Sequence, residues 1–544
     1  MRDKLNLQLL FTLFISILLN NGCSKKVIEE TQRPNILFII ADDASRNSFG
    51  IYGCEYIDTP NFDRVGKEGV VFTNAFNCNP KCSPARACLL TGRYSWQLEE
   101  ACNHSPFLSD KWTFYPDLLA KAGYEIGLTG KGWGPGIFKH PHNPAGPAFN
   151  SIKNDPPYSG INRNDYSANF EAFLNENKED KPFCFWLGTR EPHRDYEKDS
   201  WKKANLDTMK VTIPSYYPDN EVIVGDLADY ALEVEWVDKH IGECLKILAD
   251  RGLLDKTIII VTSDHGMPFP RVKGQIYDDG FHIPFVVRWG NMIKAGRVVN
   301  DFISFPDFAP TLLNLAGVTQ HPQITGESFL GQLLSEESGT IDTARNFTLL
   351  GKERHDYGRS DGDLLTVAYP VRAIRNANFL YSRNFKPNRW PVGDLEFGFK
   401  NCDPSPTKTY LTALNESHPD YKYYKMAFDF RPEEELYDII DDPECVHNLA
   451  ANKDYTDIKD QLWAQLQEKL MKQGDPRILG RGEIFDYYPY SKIYKEKDAY
   501  GIRFVDPIKK YEEFVSRTNV DDEYLAFLKK DSLGLKGFNR KKKN

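Results

Sequence analysis

A chain of 544 residues is several times longer than the shortest sequence that buries a self-sufficient core, which excludes a peptide, a disulfide-stapled mini-protein or a lone small module. Hydrophobic residues at 41% and charged residues at 27%, with 38 glycines and 33 prolines dispersed along the chain, are globular values and exclude a disordered or fibrous protein. Setting 77 acidic against 68 basic residues leaves a net charge of −9, which argues against a protein that coats nucleic-acid phosphates; a local basic pocket stays compatible with it.

The first residues carry an address. Arg2 and Lys4 precede an apolar run from Leu5 to Leu19, broken by Asn6, Gln8, Thr12 and Ser16, and Gly22-Cys23 follows. This reads as a secretory signal over residues 1–23, too short for a comfortable transmembrane helix of about 20 residues. Gly22-Cys23 resembles a bacterial lipoprotein cleavage site, in which Cys23 becomes the lipidated N-terminus; the alternative is a cleaved signal with an unmodified Cys23. The expectation is an exported protein, periplasmic or at the cell surface of a bacterium, that meets a membrane only through such an anchor.

Asn35-Ile36-Leu37-Phe38-Ile39-Ile40-Ala41 is a near-continuous apolar run ending in Asp42-Asp43, the pattern of a central strand covered on both faces. Phe183 to Gly188 runs likewise into Glu191-Pro192-His193-Arg194, and Thr257 to Thr262 into Ser263-Asp264-His265-Gly266. Between these two, Leu227, Tyr230, Val234, Val237, Ile241, Leu245 and Leu248 recur three or four apart, which predicts a helix from about Asp226 to Arg251. Strands alternating with helices predict a layered α/β domain with a mostly parallel sheet. Ligands of such sheets bind beyond the carboxyl ends of the strands, and here three of those ends carry acids or histidines.

Ile283–Trp289 predicts a further strand and Pro306–Leu313 a helix start. Ser335–Arg345 has linker chemistry, so the large domain is placed at 31–345. A smaller α+β domain with an antiparallel sheet follows at 346–480, from strands near Tyr369–Arg375, Phe379–Ser382 and Leu436–Asp438 and a helix near Tyr455–Gln473. Residues 481–544 form an extension ending in the basic run Arg540–Lys543, read as a solvated terminus. The ten cysteines show no C-x-x-C pair, against a zinc ribbon or thioredoxin-type site, and Cys184 and Cys244 read as buried thiols.

The chemistry centres on Lys81-Cys82-Ser83-Pro84-Ala85-Arg86. Ser83 is a capping residue type and Pro84 suits the first helical position, so Cys82 stands at a helix N-terminus, where free N–H groups and the dipole favour anions. Arg86, four residues on, can turn back to the same end. An activated thiolate is physically allowed there, but no histidine can be paired to it from the sequence.

These residues resemble the signature of the type I sulfatases, in which the cysteine is oxidised to formylglycine. The likeness runs through Arg33-Pro34-Asn35, Thr59-Pro60-Asn61, Leu89-Leu90-Thr91-Gly92-Arg93, Lys131, Glu191-Pro192-His193, Ser263-Asp264-His265-Gly266 and Glu435-Leu436-Tyr437-Asp438. Pro192-His193-Arg194, Gly266-Met267-Pro268-Phe269-Pro270 and Tyr369-Pro370-Val371-Arg372 look most like the sulfamidase, or heparan N-sulfatase, branch. The resemblance implies the alkaline-phosphatase-like fold and one calcium ion held by Asp42, Asp43, Asp264, His265 and the modified Cys82, an oxygen-rich set that suits a hard cation. His265 replaces a more common Asn and is assigned to the metal or to the sulfate. Arg86 would hold the formylglycine hydrate, Lys131 and Lys273 would complete a cationic wall, and His193 would face the leaving group.

One departure stands out. The family usually places His two positions after the lysine matching Lys131, and this chain has Trp133 there; His140 and His142 in the following loop are the nearest substitutes. Trp133, Arg194 and His355 are candidate substrate contacts. The function implied is removal of sulfate from a sulfated carbohydrate, either N-sulfated glucosamine or an O-sulfated algal polysaccharide such as ulvan, after processing by a sulfatase-maturing enzyme. A phosphoester or phosphonate hydrolase of the same superfamily, and a catalytically inactive glycan-binding relative, are the alternatives.

Overall fold

A computed structural model describes residues 33–177, 181–362, 364–494, 507–518 and 523–529. The signal segment, Cys23 and the basic run Arg540–Lys543 lie outside the described residues. No helix among the described residues is long and apolar enough to cross a membrane.

The large sheet has seven strands: β1 (Asn35–Ala41), β2 (Val70–Phe72), β3 (Glu125–Gly130), β4 (Phe183–Gly188), β5 (Thr257–Ser263), β6 (Phe285–Arg288) and β7 (Arg297–Val299). Their spatial order is β7-β2-β6-β5-β1-β4-β3. All pairs are parallel except those of β6, which runs against both β5 and β2. The three runs read as buried strands are β1, β4 and β5, and they are adjacent. Residues Ile36 to Ala41 are all buried, which explains why β1 shows no polar alternation.

Helix α1 (Cys82–Thr91) and the 30-residue α2 (Glu221–Asp250) flank the sheet. Helix α2 starts five residues before the apolar periodicity does, because the Asn220 side chain accepts from the N–H groups of Val222 and Ile223 and caps an earlier turn. Its Leu227, Tyr230, Val234, Val237, Ile241 and Leu245 share one core with Leu37 and Ile39 of β1 and Phe185 of β4. Across the sheet, Phe38 stacks on Trp186 at 5.0 Å.

A second sheet joins β8 (Phe347–Lys352), β9 (Val371–Asn376), β10 (Phe379–Asn384) and β11 (Glu434–Asp438), antiparallel throughout. Helix α3 (Thr456–Lys472) sets Leu462, Leu466 and Leu470 against Ile374, Tyr381 and Leu436 of this sheet. Arg372 of β9 is fully buried and donates from Nε and Nη2 to Asp475 at 2.7 and 2.9 Å, with Glu353 also at 2.9 Å. Its role is structural. Cys184 and Cys244 are free, buried thiols, as their surroundings in the sequence suggest.

Candidate active site

Register assembles the site. In the β1–β5 ladder Ala41 lies opposite Ser263, so the next residues, Asp42-Asp43 and Asp264-His265, leave the sheet side by side. The Asp264 N–H donates to the Ala41 carbonyl at 3.1 Å, the Asp43 N–H to Asp264 Oδ1 at 3.1 Å, and the Ala44 N–H to Ser263 Oγ at 2.9 Å. Asp43 takes a positive φ of 75°, rare outside glycine, and this turn points its carboxylate back over the strand ends. On the other side Gly130 pairs with Gly188, and the Lys131 N–H donates to the Gly188 carbonyl at 2.7 Å, which places Lys131 just beyond β3.

Cys82 is the first residue of α1, with Lys81 in the capping position. The local cap differs from the sequence reading. Ser83 does not cap; its hydroxyl accepts from the Ser105 N–H at 3.1 Å, and Pro84 occupies the third helical position, where its missing N–H leaves no helical bond unmade. Cys82 Sγ lies 3.3 Å from His265 Nε2 and 3.9 Å from Asp43 Oδ1. Burial, then the Asp42 charge, pushes its thiol up to about 12, so the unmodified group is protonated at neutral pH.

Arg86 is completely buried and ties the strand ends together. Nε donates to Asp264 Oδ2 at 2.9 Å, Nη1 to the carbonyls of Lys131 and Gly132 at 2.7 and 3.0 Å, and Nη2 to Asp42 Oδ1 at 3.3 Å. Lys131 Nζ donates to both Asp42 oxygens at 2.6 and 2.5 Å. Burial alone would raise Asp42, but Lys131 and Arg86 outweigh it and hold the carboxyl well below the usual range. Lys273 Nζ donates to Asp43 Oδ2 at 2.5 Å and lies 2.8 Å from Asp403 Oδ2. Against the cost of burial, Asp403 and Asp43 raise Lys273 well above its ordinary value, so it stays an ammonium.

His265 Nδ1 faces the Gly266 carbonyl at 3.0 Å. A carbonyl only accepts, so Nδ1 carries a proton, and Nε2 lies 3.3 Å from Cys82 Sγ and 3.2 Å from Asp43 Oδ1. His193 is held in the same way, Nδ1 to the Arg194 carbonyl at 2.6 Å, with Nε2 4.0 Å from Asp43 Oδ2 and its side chain 37% exposed at the cleft.

One ligand atom from each of Asp42, Asp43, Cys82 and His265 falls within a 4.8 Å span. Oxygen ligands bind calcium at about 2.4 Å, so donors around one such ion lie at most roughly 4.8 Å apart, a bound this set respects. Asp264 Oδ1 borders the group, 3.6 Å from His265 Nε2.

Trp133 is buried against Gly136 and Phe138, its N–H and carbonyl both bonded to the Asn143 side chain. His140 is exposed and stacks on Phe138, and His142 Nδ1 contacts the Asn143 carbonyl at 2.9 Å. Arg194 is buried over the rings of Tyr196 and Phe269 and donates to Asp226 Oδ1 at 2.7 Å and the Pro268 carbonyl at 3.0 Å, which fixes the loop carrying His193. His355 is buried beside Gly274, the neighbour of Lys273. Asp403 went unnoticed in the sequence. It forms a second group of ligand atoms with Asp43 and His193, and burial opposed by Lys273 and Lys81 leaves its carboxyl well below the usual range. Only its position, 130 residues beyond Lys273 in an irregular segment, hid it.

Residues 34–318, which hold all seven strands of the large sheet and Cys82, match the Sulfatase family model. An ulvan-active sulfatase of Formosa agariphila is 31% identical over 457 residues, covering 82% of this chain and 81% of that protein. Human N-sulphoglucosamine sulphohydrolase is 27% identical over 501 residues, covering 82% and 92%. The solved structure of BT4656 in complex with its substrate D-glucosamine-2-N,6-O-disulfate superposes with a TM-score of 0.56 at 21% identity over 81% of this chain and 98% of that one, a likeness of fold. Sequence match, fold and the strand-end cluster around Cys82 therefore agree, and the chain belongs to the sulfatase family.

Proposed function

We propose that this chain is an exported glycan sulfatase that hydrolyses a sulfate group from a sulfated polysaccharide or oligosaccharide, with a formylglycine made from Cys82 by a maturing enzyme and one calcium ion. The observation that carries the reading is the convergence of Cys82, three strand-end aspartates, Arg86, two lysines and His193 on one cleft. The names of the relatives, ulvan-active sulfatase and N-sulphoglucosamine sulphohydrolase, support a sulfated sugar as the substrate class. The signal-like N-terminus and Gly22-Cys23 support export with a lipid anchor.

Overall, a sugar sulfate and water give a sugar hydroxyl (or amine) and sulfate. A formylglycine hydrate at position 82 would supply an oxygen nucleophile where the native thiol is protonated. Asp42, Asp43, Asp264 and His265 would hold a calcium ion, which would supply a Lewis acid for the sulfate oxygens. The chain's own groups do the rest. Lys131 and Lys273 bring two ammonium charges to the sulfate-facing wall, each pre-oriented by a carboxylate so that little reorganisation is needed as charge develops. Arg86 holds Asp42, Asp264 and the Lys131–Gly132 backbone in mutual register. His193, with Nδ1 fixed as a donor, sets Nε2 at the cleft, where it would pass a proton to the leaving oxygen or nitrogen when the ring is charged and accept one when the ring is neutral, the form that burial and then Lys273 favour.

The test is sulfate release, read by ion chromatography, from ulvan-derived and heparin-derived oligosaccharides by protein matured in a competent host, beside Cys82→Ala. Release that needs Cys82, with an aldehyde at that position by mass spectrometry, is the expected result. Equal release by both proteins refutes the mechanism. Hydrolysis of aryl phosphate in preference to sulfate would favour the phosphoesterase alternative, and sugar binding without release by fully matured protein would favour an inactive relative.

A further inference from the structure

Beside the strand-end cluster lies a second polar group that the chemistry above does not use. His104 and His355 are 4% and 5% exposed, their ring centroids are 5.7 Å apart, edge to face, and all four imidazole nitrogens are buried without a hydrogen-bond partner among the described residues. Buried polar atoms are almost always satisfied, and two neighbouring side chains with no protein partner at any ring nitrogen mark a place where an ordered water or the hydroxyl of a ligand belongs. The pair is deliberately held. The His104 backbone N–H donates to the Arg354 carbonyl at 3.0 Å and the Arg354 backbone N–H to Asn103 Oδ1 at 2.9 Å, so two segments 250 residues apart are joined next to the imidazoles.

Their location ties them to the cleft. The ring of His355 lies against Gly274, where an added methyl group would come within 2.1 Å of Cε1 and Nδ1, and Gly274 follows Lys273. The residue after His104, Ser105, bonds Ser83 beside Cys82. Lys81, directly before Cys82, is 5% exposed and has no carboxylate at ion-pair distance among the described residues; burial, then Lys273, pushes its ammonium below its ordinary value against the opposing charges of Asp403 and Cys82, so an acidic group beside it would restore its charge. Burial, then Lys81, pushes His104 well below its usual range, so its ring offers one donor and one acceptor, the pairing a sugar hydroxyl needs.

We propose that His104 and His355 form a sugar subsite that hydrogen-bonds hydroxyls of the glycan next to the sulfate, and that Lys81 receives a second acidic group on the same glycan. The inference rests on the glycan sulfatase reading and names the ligand that reading leaves open: an oligosaccharide with a further anionic substituent, a uronate carboxylate or a second sulfate, close to the one removed.

The test is calorimetric binding to full-length Cys82→Ala protein, which needs no turnover, with two probes: inorganic sulfate and a sulfated ulvan-derived oligosaccharide, the latter also with its carboxyls reduced to alcohols. His104→Ala and His355→Ala added to Cys82→Ala are expected to weaken the oligosaccharide at least tenfold while inorganic sulfate weakens less than threefold; His104→Gln, which keeps a donor and an acceptor, recovers part of the loss. Lys81→Gln is expected to weaken the acidic oligosaccharide about tenfold. If that loss vanishes on carboxyl reduction the second group is a uronate, and if it persists the group is a sulfate. Oligosaccharide affinity within twofold of the parent in both histidine variants, or equal losses for the two probes, overturns the subsite, as does failure of the Gln variant to bind better than Ala. Should matured protein with Cys82 intact release no sulfate while the binding losses hold, the sulfatase reading fails and the subsite stands.

Discussion

Arg86→Lys keeps the charge and removes the geometry, so it isolates what the guanidinium does. The arginine spreads four hydrogen bonds over two carboxylates and two carbonyls in a site with no solvent exposure. A lysine ammonium is a compact point donor that cannot span Asp264, Asp42 and the Lys131–Gly132 carbonyls together. At least one carboxylate or both carbonyls are left buried and unpaired, and breaking a buried pair in this way costs about 3–5 kcal/mol. Unfolding entropy of about 2.1 cal/mol/K per residue makes the transition entropy of a chain this size roughly 1.1 kcal/mol/K, so the melting temperature should fall by about 3–5 °C. The same loss frees the backbone that carries Lys131 and unseats Asp264, and a shift of about 1 Å in a catalytic cradle costs on the order of 100-fold in kcat. Differential scanning calorimetry and sulfate release on equally matured proteins measure both, with Arg163→Lys, an exposed pair with Asp155, as the neutral control. A variant within 1 °C of the parent, with activity within threefold, refutes the assignment of Arg86 as the keystone of the strand ends.

Other perturbations probe neighbouring features. Gly188→Ala should place a methyl carbon 1.9 Å from the Lys131 carbonyl, which accepts from Arg86 and from Trp186 Nε1; a loss of about 1–3 kcal/mol with at least a tenfold fall in kcat is expected, by thermal melting and sulfate release. Asp403→Asn removes one of the two carboxylates on Lys273, making the cleft more positive by one charge; inorganic sulfate should inhibit about fivefold more tightly while kcat falls, and unchanged inhibition would detach Asp403 from the site. Away from the cleft, burial, then Glu99, pushes Glu100 up to about 8 from 4.5, with Oε1 accepting from the Ser109 N–H and Trp112 Nε1. The folded state therefore binds the extra proton between those two values, and stability falls as pH rises from about 4.5 to 8, by on the order of 4 kcal/mol. Glu100→Gln, which keeps the Oε1 contacts, should flatten the melting profile across that window and melt higher than the parent at pH 9; parallel profiles would show that Glu100 is ionised in the folded protein.

What the sequence reveals about this molecule depends on whether a residue acts through its neighbours in the chain or across the fold. Strands β1, β4 and β5 are legible because they are buried on both faces and therefore uninterrupted, and their polar sequels Asp42-Asp43, His193 and Asp264-His265 then follow at the strand ends. Cys82 at the head of α1 is legible from the composition of one helix turn. The start of α2 at Glu221 is not, since Asn220 caps a turn that carries too few apolar residues to show a period. The antiparallel β6 is equally hidden: four apolar residues have no direction until β2 and β5 pair with them. Ser83 looks like a cap by type, yet its hydroxyl is taken by the Ser105 N–H, a partner that exists only after folding. Asp403, His104 and Lys81 belong to that last kind. Each is unremarkable in its own segment, and each acquires meaning from residues far away in sequence: Lys273 for Asp403, the Arg354–His355 segment for His104, and Lys273 with Asp403 for Lys81. The residues at the helix head and strand ends are thus legible locally, whereas the proposed sugar subsite rests on contacts between distant loops, where a single sequence is least informative and where substitutions at His104, His355 and Lys81 act.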